Sequence, residues 1–85
     1  MGSARRAKPA KLGDKLFTVR EMLGMSLSKM AVALSDEEAR VLRTDVYKFE
    51  QGEREPSLII LLRYAKLSRV PMEVFADDKL DLPRI

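Results

Sequence analysis

The sequence predicts an all-α domain of five short helices, and three observations carry that expectation. Apolar residues recur at helical spacing in successive segments: Leu12, Leu16, Val19 and Leu23; Met30, Ala31 and Leu34; Leu42, Val46 and Phe49; Leu58, Leu61, Leu62 and Ala65. Capping and stop residues divide these segments, with Gly24 before Ser26, Gly52 after the third run, and Pro56-Ser57 ahead of the fourth. The size fits as well. Eighty-five residues, 46% of them hydrophobic, suffice for one small domain with a modest core.

Residues 1–11 are small and basic with no periodicity, and read as a flexible arm. The first helix is expected to start at Gly13-Asp14, with Asp14 as N-cap, and to stop at Gly24. Ser26 caps the second, although Lys29 leaves the reciprocal capping box unmade. The following SDEEAR segment, residues 35–40, places Ser35 and Glu38 at capping-box spacing. It reads either as a longer, partly helical turn or as a backward extension of the third helix. Leu42 stands where a Ser or Thr cap would normally sit, so the start of the third helix is open. Ser57 caps the fourth helix, in which Leu58, Leu61, Leu62 and Ala65 are the expected core positions. Residues 70–75 read as a short fifth helix with Pro71 near its first turn. The tail ADDKLDLPRI suits a strand or a packed tail, with Leu80, Leu82 and Ile85 as its apolar residues.

Composition removes several classes of function. Without cysteine there is no disulfide framework or thiolate, and without histidine the commonest metal ligand and acid–base catalyst are missing. No phosphate loop, nucleophile–base pair or metal-ligand spacing is present, so neither an enzyme nor a cofactor or metal is expected. The carboxylates Asp36, Glu37 and Glu38, and Asp77, Asp78 and Asp81, read as solvated charge. No apolar run approaches the length of a membrane span, which makes a cytoplasmic protein the expectation. The net charge of +3 is modest, but residues 1–20 hold six basic side chains against Asp14 alone. Such an arm either follows nucleic-acid phosphates or merely aids solubility.

The third helix carries the functional signal. With Val46 inward and about 100° per residue, Glu50 falls at the edge of the buried face, and Thr44, Lys48 and Gln51 point away. Tyr47 flanks them and Arg43 lies near the helix start. A short polar, partly cationic face on an apolar back suits a DNA major groove, where base edges are read by hydrogen bonds and methyl contacts. An ordinary amphipathic surface helix has the same pattern.

The wider pattern favours the first reading. Leu16, Val19 and Arg20, then Met25-Ser26, then Met30, Ala31 and Leu34, lead into VLRTDVYKFEQGEREPS at residues 41–57. Leu58, Leu61, Leu62, Ala65, Val70, Val74 and Phe75 follow. From Leu12 to Phe75 the chain resembles the helix-turn-helix domain of the Cro/repressor (Xre) family, most specifically in the E-x-G-x-x-x-P-S string of Glu50, Gly52, Pro56 and Ser57. The resemblance implies a five-helix lambda-repressor-like domain over residues 12–76, between the arm at 1–11 and the tail at 77–85. It implies a transcriptional regulator that binds double-stranded DNA as a homodimer on a (pseudo)palindromic operator.

Arg43, Thr44, Tyr47 and Lys48 would then read bases, while Arg5, Arg6, Lys8, Lys11, Ser26, Ser28, Lys29, Gln51 and Arg54 would contact the DNA backbone. An Arg20–Glu50 ion pair would tie the first helix to the third. Ile59, Ile60, Met72, Phe75, Leu80, Leu82 and Ile85 would form the dimer or partner surface, Ile59 and Ile60 occupying places the family tends to make polar. Two departures stand out: Leu27 where the family often has a phosphate-contacting glutamine, and about five extra residues around the SDEEAR segment. The acidic insert, Ile59-Ile60 and the apolar tail would be partner surfaces under a second expectation, a DNA-binding antitoxin or accessory subunit bound to another protein. No membrane or small-molecule ligand is expected.

Overall fold

The computed structural model describes residues 10–83. They form five α-helices, α1 (Leu12–Met22), α2 (Leu27–Leu34), α3 (Arg43–Gln51), α4 (Leu58–Ser68) and α5 (Met72–Ala76), with no strand among the described residues. α3 packs against both α1 and α2, while α5 closes the other side against α1 and α4. Leu16, Val19, Met30, Leu34, Val46, Tyr64 and Phe75 are the largest fully buried side chains.

The caps explain most boundaries. The Ser26 hydroxyl accepts the Lys29 N–H at 3.1 Å, and the Ser57 hydroxyl accepts the Ile60 N–H at 3.3 Å. Gly52 ends α3 in the left-handed conformation (φ +76°), which costs little only for glycine. α4 ends the same way on Arg69 (φ +59°), where a side chain must be accommodated.

α1 departs from the expected start. It begins at Leu12, so Asp14 lies inside the first turn as a favourable negative charge rather than at the cap. The N–H groups of Ala10 and Lys11 are instead taken by the Asp78 carboxylate, at 2.8 and 3.0 Å. Those bonds hold Asp78 below the usual carboxylate pKa. Lys15, on the same helix, is buried, and its Nζ donates to the carbonyls of Val74 (2.6 Å) and Asp77 (2.9 Å). A cation at the last carbonyls of α5 is well placed electrostatically. Gly13 is required by contact. A Cβ there would come within 2.6 Å of the Glu50 carbonyl oxygen, where α1 crosses the end of α3.

The 35–42 connector is not helical, contrary to both readings of the SDEEAR segment. Ser35 does not cap a new helix. Its hydroxyl donates back to the Ala31 carbonyl (2.8 Å) and accepts the Val41 N–H (2.7 Å), tying off α2. Asp36 organises the turn, with Oδ1 accepting the N–H groups of Glu38 and Ala39, both at 2.8 Å. Arg63 of α4 holds the turn from outside, donating to the Leu34 carbonyl at 2.8 Å and pairing with the Asp36 carboxylate. The Ala39 N–H, together with Glu38 and Arg63, lowers the Asp36 pKa.

The core differs from expectation mainly on α4. Ile60, Leu61, Tyr64 and Ala65 face inward, whereas Leu58 (73% exposed) and Leu62 (40%) face out. Leu42, assigned to the inner stripe of α3, is also 52% exposed, because it is the extended N-cap residue and not part of the helix.

Candidate nucleic-acid interface

α3 presents two chemically distinct sides. Val46, Phe49 and Glu50 are buried, and Arg43, Thr44, Tyr47, Lys48 and Gln51 are all exposed. The helix starts without a side-chain acceptor at its cap, since Leu42 has none to offer. Asp45 supplies the reverse bond, its Oδ2 accepting the Leu42 N–H at 2.9 Å. The other Asp45 oxygen pairs with Arg54 Nη1 at 2.7 Å, so this arginine is drawn to the first turn of α3 from the loop that follows it.

The back of α3 is anchored by Arg20 and Glu50, which the structure brings together in a two-pronged pair. Arg20 Nε and Nη2 donate to the two Glu50 oxygens at 2.7 and 3.1 Å, and Nη1 donates to the Met25 carbonyl at 2.9 Å. The guanidinium also lies 5.4 Å from the centre of the Phe17 ring. Hydrogen bonding to Glu50 raises the Arg20 pKa further above its ordinary value. This is the geometry in which a partly buried ion pair is tolerated. One link joins α1, the α1–α2 turn and the inner face of α3. Next to this pair, burial and the Glu50 charge raise the pKa of Tyr64. Its hydroxyl has no protein hydrogen-bond partner among the described residues.

α2 contributes an exposed N-terminal edge. Ser28 and Lys29 are exposed, while Ser26 uses its oxygen on its own helix and Leu27 packs against the core. An open groove of about 570 Å³ runs between α2 and the connector, lined by Ser28, Val32, Arg40, Leu42 and Arg43 among others. Arg40, which sequence reasoning passed over, thus joins Arg43 at the entrance of α3. The only signal for it was its position three residues ahead of Arg43, and that becomes informative only once the connector is known to be extended. Lys11 is exposed at the head of α1. Arg5, Arg6 and Lys8 lie outside the described residues.

The expected dimer or partner surface is largely reassigned. Phe75 is fully buried and Ile60 nearly so, because both fill the space between α4 and α5 and the remaining core. Met72 and Leu82 are half-buried against that core, and Leu80 is marginally exposed. Of the original set Ile59 remains clearly outside, and Leu58 and Leu62 join it. Ile85 lies outside the described residues.

No protein-family model matches the chain, and no curated protein or solved structure does so either. Among the described residues no cluster of acidic side chains is arranged to hold a metal ion, and no helix is long and apolar enough to cross a membrane. The geometry of α3 and its surroundings therefore carries the functional argument.

Proposed function

We propose that this chain is a sequence-specific double-stranded DNA-binding regulator of the helix-turn-helix type that its sequence resembles, acting in the cytoplasm as a homodimer. The observation that carries the reading is α3. Five polar or cationic side chains share its exposed face while its back is held by the core and by the bidentate Arg20–Glu50 pair. A rigid backing matters because base readout depends on side chains held in register with base edges. Arg43 and Lys48 offer donors to guanine O6 and N7, and Thr44 offers a methyl and a hydroxyl. Tyr47 reaches either a base or a phosphate. Ser28, Lys29 and Gln51, with Arg40 added, supply the phosphate contacts that set orientation.

Selection of bound DNA from a random pool tests the reading. A defined sequence should emerge, with affinity that falls linearly in log–log form as salt rises. Recovery of unenriched pool sequences would remove it. A second reading, an accessory subunit or antitoxin bound to another protein, draws on Glu37 and Glu38. These are exposed on a connector whose shape is locked by Asp36 and Arg63. Under that reading the purified chain would be recovered from its native source in a stable complex with a different protein.

A further inference from the structure

Three large aliphatic side chains stand together on the solvent side of α4: Leu58, Ile59 (58% exposed) and Leu62. Leu58, Leu62 and Lys66 form one row at four-residue spacing, and Ile59 flanks it. The core does not use this row, since Ile60, Leu61, Tyr64 and Ala65 already fill the inner side of the helix. Single exposed aliphatics are ordinary on a protein surface, but three grouped on one helix face form the kind of apolar patch that suits a partner.

We propose that this face of α4 is the seam of a homodimer, covered by the same face of a second copy in antiparallel orientation. The inference rests on the dimeric reading above and names its surface. Charge selects the occupant. The loop at the N-terminal end of the row carries the exposed Glu53, beside Arg54 that is already paired with Asp45, and the C-terminal end of the row carries Lys66 followed by Arg69. A row that is acidic at one end, basic at the other and aliphatic between is complementary to itself when turned end for end. Self-complementarity is the requirement of a two-fold contact. In that arrangement Ile59 meets its counterpart near the axis, Leu58 lies against Leu62 of the second copy, and each Lys66 reaches the acidic loop opposite. The helix dipoles also run in opposition. A parallel pair would place like charges and like helix ends side by side. Because only residues 52–57 separate α3 from α4, such a seam also sets the two α3 helices on either side of one axis.

Sedimentation equilibrium of the full chain, alone and with its selected DNA, tests the proposal. The wild-type chain is expected to dimerise. Ile59→Glu should weaken the dimer at least about tenfold while leaving the circular dichroism unchanged, since the side chain is exposed. Lys66→Glu should weaken it severalfold, and adding Glu53→Lys should restore it. The double charge exchange keeps the test valid even if Ile59→Glu disturbs the helix. A wild-type chain that is monomeric at every concentration, with and without DNA, would assign the face to a different protein and overturn the proposal. Dimers indifferent to both Ile59→Glu and Lys66→Glu would overturn it as well. A dimer dissolved by Ile59→Glu in a chain that binds no DNA would uphold the seam while removing the DNA reading.

Discussion

α3 and α4 are neighbouring short helices that each bury one side in the same core, yet their outer sides are opposites. That of α3 is polar and cationic, and that of α4 begins with three aliphatic residues. A polar side is content in water and gains from a partner by hydrogen bonding and charge, so it can await an optional ligand. An aliphatic side is under constant pressure to be covered, worth roughly 25 cal/mol per Å². One small domain thus carries a polar outer face on α3 and an aliphatic one on α4.

The contrast can be broken from behind α3. Glu50→Ala would leave the Arg20 guanidinium without its partner at a mostly buried position, and should cost about 3 kcal/mol of stability in denaturant titration. That is a large fraction of what a domain of this size possesses. If Glu50→Ala unfolds at the wild-type midpoint, the pair is not what holds α3.

Adjacent isoleucines on α4 sharpen the contrast. Ile60→Ala should lose about 2–4 kcal/mol through the cavity it leaves. Ile59→Ala, measured at concentrations where the chain is monomeric, should lie within about 0.5 kcal/mol of wild type. Equal losses would mean that the α4 face is assigned wrongly. On α3, Arg43→Ala should leave stability unchanged and weaken binding to the selected site by about 1–3 kcal/mol, with much less effect on random DNA. Equal weakening on both DNAs would make Arg43 a phosphate contact. The smallest effect is expected at the end of α4, where Arg69→Gly relieves the left-handed strain and should raise the melting midpoint slightly, by less than about 1 kcal/mol in stability.

The helix ends and faces show what could be read from sequence and what could not. Caps at Ser26 and Ser57, and the left-handed stop at Gly52, depend on chemistry within a few residues of the helix end, and they stand where local reasoning puts them. The exposed face of α3 was legible because polar and apolar residues alternate there with helical period. On α4 the run from Leu58 to Leu62 is uniformly aliphatic, so periodicity has no contrast with which to select a side. Tyr64, whose ring fills the centre, makes the choice instead. The connector was illegible for a different reason. Asp36 is held partly by Arg63, 27 residues further along the chain, and no local pattern announces that bond. Lys15 is a similar case: a buried lysine is uncommon, and its two carbonyl acceptors lie 59 and 62 residues away.

The clasp between Asp78 and the N–H groups of Ala10 and Lys11 joins positions 68 and 67 residues apart. It brings the two ends of the described chain together at an exposed point, outside the buried Lys15 bonds that join α1 to the end of α5. The packing of α5 on α1 and the Lys15 bonds already bring these segments together, and the clasp adds only two exposed hydrogen bonds at their rim, so it belongs to the least protected part of the molecule. Opening it would loosen the head of α1 and the segment after α5 together, while the centre around Val46 and Tyr64 stays shut. In hydrogen exchange the amides of Ala10 and Lys11 should behave as one unit with those following α5. The two edges of the domain would breathe in step, at a free energy well below that of global unfolding.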